Sequence, residues 1–371
     1  MFEFVEITLF LLLISILFTS QLLHLVDITL DFLGAPSIMD RGRGGMLGRI
    51  PRRRNPLFRR RDVSPPNFTT SYEITPEDAL EVRDILSEDR NLPPELVDMI
   101  LEYAEYWACS VAVLDCADRP DGRISIRGGG QGENQFLLRT EPLGLNKWSP
   151  LSHDLWKTQS APKSLEKEYP ESNLHEFIEG PVSTLEHPFR KVVFDIVSCD
   201  QGWSSHHDDY GTYRNSFTWF DVGLERFDMN NECPPTCSDR QNSDSSSKTA
   251  NIPTCAIRSV WPPVINDTSN DSAMKYKHEL LPTEDHCIQR NKHAEKNMQH
   301  HHIEWSWDDN INPELPAANE LEEIGRGRST GNGEFIRNLK FGDMITVWGR
   351  ARFGGWSNNV QSVKVKLYWA F

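Results

Sequence analysis

The chain of 371 residues is long enough for one large domain or two ordinary ones, and its 23 Gly and 23 Pro favour a β-rich fold with many turns. The formal net charge is −15, and residues 63–371 hold 48 acidic against 30 basic residues, so this acidic body is not expected to bind nucleic acid. Seven Cys without regular spacing argue against a disulfide scaffold and favour a reducing compartment.

Residues 1–33 are predicted to form a hydrophobic helix. Within them, residues 7–26 lack Asp, Glu, Lys and Arg and match the roughly 20 residues of a transmembrane helix. Nine Arg follow between positions 41 and 61, so the positive-inside rule places the C-terminus of an anchored chain in the cytosol. Two other interpretations stay open: a buried or interfacial helix, or an extension upstream of a start at Met39 or Met46. The prediction is a cytoplasmic body with residues 7–26 as a candidate membrane anchor.

Residues 34–71 are rich in Gly, Pro and Arg and poor in apolar side chains. Because this composition cannot bury a core, we expect a disordered basic linker. Its arginines would lie against anionic lipid in an anchored protein, and would otherwise form a solvated tail or a weak nucleic-acid patch.

Residues 72–110 are predicted to form a helical hairpin. Thr75 is a candidate N-cap before a helix that begins at Pro76, and a second helix begins at Pro94 with apolar residues at helical spacing. The second helix lies in the run LPPELVDMILEY at residues 92–103, which resembles the opening helix of an F-box, the module through which ubiquitin-ligase substrate receptors hold their adaptor subunit. We also expect its apolar residues to pack on the following domain. These residues are Leu92, Pro93, Leu96, Ile100 and Leu101.

From residue 120 onward the pattern changes to short runs with alternating apolar and polar residues, which predicts a mainly β fold, an antiparallel β-sandwich over residues 120–371. In the clearest run Val363, Val365, Leu367 and Trp369 share one face. The candidate strands are residues 136–139, 191–198, 216–224, 256–261, 303–307, 344–350 and 361–369.

The segment at about 228–300 is polar and repetitive, with runs such as DRQNSDSSSK. We predict a flexible insertion here, in which only residues 256–261 are structured.

Two stretches carry a further resemblance. They are VVFDIVSCDQGWSSHHDDYGTYRNSFTWFDVGLER, which begins at Val192, and GDMITVWGRARFGGWSNNVQSVKVKLYWAF, which begins at Gly342. Both resemble a family of uncharacterised fungal proteins whose domain is related to galactose-binding-like sandwiches. The resemblance implies a sandwich architecture for the C-terminal part and brings no activity with it.

No nucleophile-elbow, P-loop or zinc-protease motif occurs, so we do not expect an enzyme. His206, His207, Asp208 and Asp209 keep a metal-dependent hydrolase open as an outside alternative. Adjacent pairs in an extended stretch point to opposite faces, however, and the CPPTC pair at Cys233 has no second Cys or His pair to complete four zinc ligands. The prediction is that the protein needs neither a metal nor another cofactor.

Aromatic and amide side chains near chain turns suggest a ligand site, because rings stack on the apolar faces of sugars and peptides while amides bind their polar groups. The predicted ligand-binding residues are Trp203, Trp356, Asn358 and Asn359. Alternatively, the tryptophans lock loop ends onto the core. The leading hypothesis is a non-catalytic interaction module whose partner is an unknown protein or a small polar ligand, and the alternative is an F-box-like substrate receptor.

Overall fold

The computed structural model describes residues 73–89, 91–148, 153–180, 183, 185–230, 252–266 and 273–370. All of them belong to a compact unit, Thr69–Phe371. The candidate anchor at residues 7–26, the basic linker and the CPPTC pair lie outside the described residues. Within the ranges described, no helix combines the length and the apolar character that crossing a membrane requires.

Antiparallel strands dominate the described residues, which confirms the predicted mainly β class. The strands are β1 (Ala108–Asp115), β2 (Ile124–Arg127), β3 (Asn134–Arg139), β4 (Phe189–Cys199), β5 (Thr218–Phe227), β6 (Ile257–Trp261), β7 (Val264–Asn266), β8 (Met274–Tyr276), β9 (Cys287–Arg290), β10 (Gln299–Ser306), β11 (Met344–Ala351) and β12 (Ser357–Trp369). A first sheet has the order β1-β12-β4-β10, with β2 also paired to β12. A second has the order β3-β11-β5-β6, with β9 also paired to β5, and β7 and β8 form a small hairpin.

The longest strand, β12, organises the first sheet. It pairs with β1, β2 and β4, and Val363, Val365, Leu367 and Trp369 are at most 4% exposed. The predicted apolar face of this strand is therefore confirmed. The alternate lysines Lys364 and Lys366 point away from the core and contact the carboxylate of Glu73 at 2.8 and 3.0 Å.

Both sheets contribute to one hydrophobic core. Phe194 of β4 and Trp305 of β10 meet in a perpendicular ring contact with centroids 5.2 Å apart. Phe220 of β5 and Val347 of β11 supply the same cluster from the second sheet and are fully buried. Side chains of this size contribute roughly 1.5–3 kcal/mol each when they leave water.

The second sheet is also buried on its outer face, where charged side chains are paired. All eight residues of β11 are buried. Arg350 of β11 contacts Asp221 of β5 at 2.9 Å, and Asp221 also accepts a hydrogen bond from the indole of Trp219 at 2.8 Å. Across β11, Arg139 of β3 pairs with Glu225 of β5, and both side chains are at most 3% exposed.

Irregular chain covers this charged face. Arg139 donates to the carbonyl oxygen of Thr158 at 3.1 Å and to Ser160 Oγ at 2.7 Å. Arg352 donates to the carbonyl oxygen of Glu279 at 2.6 Å, and His278 Nδ1 lies 2.8 Å from Arg350. Burial, together with Arg350 and Arg352, lowers the pKa of His278 to about 3, so its neutral ring accepts this hydrogen bond.

The region predicted as a flexible insertion contains more structure than expected. Residues 252–266 and 273–300 include β6 to β9, of which β6 and β9 pair with β5. The strand β6 matches the structured stretch predicted at residues 256–261. The strands β7, β8 and β9 were not predicted, because three or four residues are too few to show the alternation by which strands are recognised.

The helical hairpin is present, but its packing differs from the expectation. Its helices are α1 (Pro76–Asp84), with a capping box at Thr75 and a π turn after it, and α2 (Pro94–Tyr103). Val97 is fully buried and Leu92, Ile100 and Leu101 are half-buried, whereas Pro93 and Leu96 are exposed. The prediction that all five apolar residues pack on the β domain is therefore wrong for Pro93 and Leu96, because a short helix turns only one face to its support.

The strand β1 begins at Ala108, inside the region assigned to the hairpin, so the β fold starts twelve residues earlier than predicted. Short helices α3 (Glu171–Leu174), α4 (Ala317–Glu323) and α5 (Glu334–Arg337) lie in the connections.

The buried ion pair of the second sheet gives a first prediction. The Asp221→Ala substitution leaves the Arg350 guanidinium buried without its carboxylate partner. The free energy of unfolding in urea should therefore fall by about 3–5 kcal/mol. The matched control is Lys277→Ala, which breaks a pair with Glu279 whose side chains are 52% and 38% exposed. That loss should stay below about 1 kcal/mol. Equal, small losses for both variants would contradict the structural role of the buried pair.

Candidate functional site

Loops from both sheets meet at one end of the fold. At this end β4 finishes opposite the start of β12, with Cys199 paired to Asn359, and β11 finishes opposite the start of β5, with Ala351 paired to Thr218. The loops of residues 200–217, 291–298 and 352–356 therefore share this end. Of the aromatic side chains on these loops, four define a surface that we call the aromatic pole: Trp203, Tyr210, Phe353 and Trp356.

The aromatic pole is unusually exposed for its residue types. Trp203 is 62% exposed, Phe353 45% and Tyr210 39%, while Trp356 is half-buried. Large apolar rings normally leave water, so a group of exposed rings on one surface is a mark of an interaction site.

Two of the predicted residues, Trp203 and Trp356, flank one glycine. A Cβ atom at Gly355, whose φ is +96°, would come within 3.3 Å of Cη2 of the Trp203 ring. The Trp203 ring therefore lies against the β11–β12 loop, next to the residue that precedes Trp356. The structure brings these two predicted residues together.

The two tryptophans have different surroundings. Trp356 packs edge-on against Phe217 and His293, with centroids 5.1 Å away in each case. Phe353 makes a similar contact with Phe217 at 4.8 Å. Trp356 thus joins the loop to the body of the protein, as the locking interpretation predicts, whereas most of the Trp203 ring faces solvent.

Asn358 and Asn359 lie beneath this surface. Asn358 is fully buried, donates to the carbonyl oxygens of Trp219 and Arg350 at 3.1 and 3.2 Å, and accepts from Asn291 at 2.9 Å. Asn359 is 8% exposed and donates to the carbonyl oxygen of Asp200 at 3.2 Å. In this arrangement both amides support the pole from below, and Asn358 presents no surface to a ligand.

Sequence reasoning missed that Asp200 organises the site. Its side chain is buried, with Oδ1 accepting from the Gly202 amide at 2.8 Å and Oδ2 accepting from the Ala294 amide at 2.7 Å. These two amides belong to different loops, so one carboxylate joins the loop that carries Trp203 to the β9–β10 loop. An aspartate directly after a strand and two residues before a glycine is the one sequence feature that suggests such a bond.

Neighbouring bonds fix the backbone around Trp203. Gln201 donates through Nε2 to the Trp203 carbonyl oxygen at 2.8 Å and accepts through Oε1 from the Ser357 amide at 3.2 Å. On the other side, the hydroxyl of Tyr210 accepts from the Ser204 amide at 2.9 Å. The exposed ring of Trp203 is therefore held by a constrained loop.

No protein-family model, no curated protein and no solved structure matches the chain. The geometry of the pole must therefore carry the functional argument.

The acidic and histidine cluster of the same loop is less organised. His207, Asp208 and Asp209 form a turn of 3₁₀ helix, and His206 precedes it. The two histidines and Asp208 are exposed to solvent, whereas Asp209 is half-buried. Asp209 Oδ2 accepts a hydrogen bond from Asn215 at 2.7 Å. Within the part of the chain that the structure describes, no three His, Cys, Asp or Glu side chains are grouped as metal ligands are.

Cavities lie elsewhere on the fold. One of about 400 Å³ runs along α1 beside Leu80 and Ile85, with acidic side chains around it. Another of about 310 Å³ lies between α2 and Leu185, next to Met99 and Tyr103.

Substitutions at Asn358 and Trp203 should distinguish a buried residue that supports the fold from an exposed one that does not. The Asn358→Ala variant leaves two buried carbonyl oxygens without their donor and the Asn291 amide without one acceptor, so unfolding should become easier by about 1–3 kcal/mol. The Trp203→Ala control removes a mostly exposed ring and should change the free energy of unfolding by less than about 1 kcal/mol. If denaturant unfolding shows a larger loss of stability for Trp203→Ala than for Asn358→Ala, then Asn358 does not support the fold in the way described.

Proposed function

We propose that the protein is a non-catalytic binding module, a β-sandwich whose aromatic pole binds a polar ligand through Trp203 and its neighbours. The observation that carries this proposal is a tryptophan that is 62% exposed and yet has its backbone fixed by hydrogen bonds. A ring that served only to lock a loop would be buried, as Trp356 partly is. A ring that is held in place and left exposed is prepared for a partner.

The surroundings of Trp203 favour a ligand with both an apolar face and hydrogen-bonding groups. The rings supply stacking surfaces, and Gly355 lets the Trp203 ring lie against the loop backbone. Neutral polar groups, including Gln201 and Ser357, lie beside them. A sugar ring has this combination of properties, and the resemblance to galactose-binding-like sandwiches adds support. A peptide with an exposed aromatic or proline residue is the other chemistry that such a surface accepts.

Binding should be tested on immobilised oligosaccharides, with the best binder then measured by calorimetry. We expect saccharide binding by the full-length protein, and a loss of at least tenfold in affinity, about 1.4 kcal/mol, in Trp203→Ala. The control is Tyr103→Ala, which removes an 85% exposed aromatic ring at the opposite end of β4. The proposal fails if no saccharide is retained, or if both variants bind as the wild type does. Retention of peptides alone would identify the second ligand chemistry.

A second candidate function rests on the exposed face of α2. Leu96, Met99 and Tyr103 are 46%, 52% and 85% exposed, and their spacing of three and four residues aligns them along one side of the helix. They lie in the helix that resembles an F-box opening. Three adjacent apolar side chains left in water favour a partner protein here, and we propose the adaptor subunit of a ubiquitin ligase as that partner.

This candidate is tested by co-purification with a cullin-adaptor subunit. The triple variant Leu96→Ala, Met99→Ala, Tyr103→Ala should lose the adaptor while its melting temperature changes little, because the three side chains are exposed. Val97→Ala is the matched comparison, since Val97 is fully buried and its truncation should lower stability instead. Failure of the wild-type protein to retain the adaptor would remove this candidate.

A further inference from the structure

We propose that acid opens the aromatic pole: protonation of the buried carboxylate of Asp200 would release the loop that carries Trp203 and so weaken ligand binding. This inference rests on the proposed binding role of the pole. It concerns how that site is regulated, and its structural part can be tested without any ligand.

The side chain of Asp200 links two loops by hydrogen bonds. Its side chain accepts one amide from each loop, at 2.8 Å from Gly202 and 2.7 Å from Ala294. Both amides belong to residues in the left-handed region, with φ of +82° at Gly202 and +56° at Ala294. Glycine adopts this conformation freely, but alanine does so only when its surroundings hold it. The bond to Asp200 is one of the restraints that hold Ala294.

A neutral carboxyl group holds the two amides less well than a carboxylate does. As a carboxylate, the side chain offers a charged acceptor oxygen to each amide, whereas in the protonated form one oxygen becomes a hydroxyl group, which is a donor and a weaker acceptor. The charge that strengthens both hydrogen bonds is lost, and the amide that faces the hydroxyl group is bound only weakly. The link between the two loops through this side chain is therefore weakened.

The surroundings place the titration in mild acid. Burial raises the pKa of Asp200 from 3.8 to about 6, against the opposing effects of the Gly202 and Ala294 amides and of His293, while Glu295 acts in the same direction as burial. Lys296 lies beside Gly202, and Arg123 faces the preceding Cys199. These are the charged and titratable groups around the carboxylate.

The upward direction of the pKa shift means that Asp200 takes up its proton in the folded protein. Because the folded pKa lies above the ordinary value of 3.8, the native state binds the proton more readily than the unfolded chain does between 3.8 and about 6. The contribution of Asp200 to stability is therefore fully present below 3.8 and is lost as the pH rises through about 6. Acidification from neutrality favours a folded molecule with a protonated Asp200.

His293 is a second ionisable group that contacts the pole. It is fully buried, and its Nδ1 lies 3.1 and 3.0 Å from the carbonyl oxygens of Arg214 and Asn215, so Nδ1 carries the proton of the neutral ring. Its ring also contacts Trp356. The experiment must therefore separate Asp200 from His293.

The full-length protein labelled with 5-fluorotryptophan provides that experiment. The ¹⁹F resonance of Trp203, assigned by its loss in Trp203→Phe, should shift between about pH 7.5 and about pH 5 with a midpoint near the Asp200 pKa of about 6. In Asp200→Asn the resonance should stay near its acid position at every pH. Asp195→Asn, which removes a carboxylate from the outer face of the first sheet, should titrate as the wild type does.

Two outcomes would overturn the proposal: a Trp203 resonance that does not move over this range, or a titration that persists in Asp200→Asn and disappears in His293→Gln. If Asp200→Asn does not fold, hydrogen exchange in the wild type decides the matter. The Gly202 and Ala294 amides should then exchange faster at the lower pH after correction for intrinsic rates, and unchanged exchange would refute the release.

Measurements of saccharide affinity at two pH values distinguish a failure of the pH effect from a failure of the proposed function. Saccharide affinity should fall at least fivefold between about pH 7.5 and about pH 5 in the wild type, and should be low and independent of pH in Asp200→Asn. If Trp203 titrates as expected but no saccharide binds at either pH, the proposed function fails and the release of the loop stands. If a saccharide binds equally at both pH values, the regulation fails and the proposed function stands.

Discussion

The fold depends on a constraint at the outer face of its second sheet, where charged side chains are buried and must be paired. An antiparallel sheet usually leaves one face to water, but here Arg139, Asp221, Glu225 and Arg350 lie beneath irregular chain. Each guanidinium has a carboxylate partner, and each also bonds to a covering segment, Arg139 to the carbonyl oxygen of Thr158 and Arg350 to Nδ1 of His278. The arginines thus supply the bonding that these segments, which have little regular structure of their own, would otherwise lack. Removing one partner leaves an uncompensated charge, so this layer requires all of its members.

Two exposed apolar surfaces lie at opposite ends of β4. At one end α2 rests on the start of β4, with Glu102 bound to Arg190 at 3.2 Å and Leu96, Met99 and Tyr103 in solvent. At the other end Asp200 follows the last residue of β4 and joins the loops of the aromatic pole. The eleven residues of β4 separate these surfaces by about 35 Å. Such a separation would let the two proposed surfaces be occupied at the same time.

The sequence predicted those parts of the fold in which one face meets the core and the other meets water. β12 is the best example, since its lysines and apolar residues alternate in step with the pleat. Short strands such as β9 were missed because four residues are too few to show the alternation by which strands are recognised. At the site, Trp203 and Trp356 could be predicted because each is a tryptophan that follows a glycine. The supporting role of Asn358 and the link through Asp200 depend on contacts between loops 90 or more residues apart, which a single sequence does not contain.

The indole N–H resonances of the protein's 11 Trp offer the most direct test of whether the aromatic pole binds the ligand. In a TROSY titration with the saccharide that binds best, the resonances of Trp203 and Trp356 should shift together with saturation. Those of Trp219, Trp305 and Trp348, which are buried in the sheets, should stay in place. Shifts confined to Trp107, at the end that carries α2, or no shift at Trp203 in a saturated complex, would contradict the account.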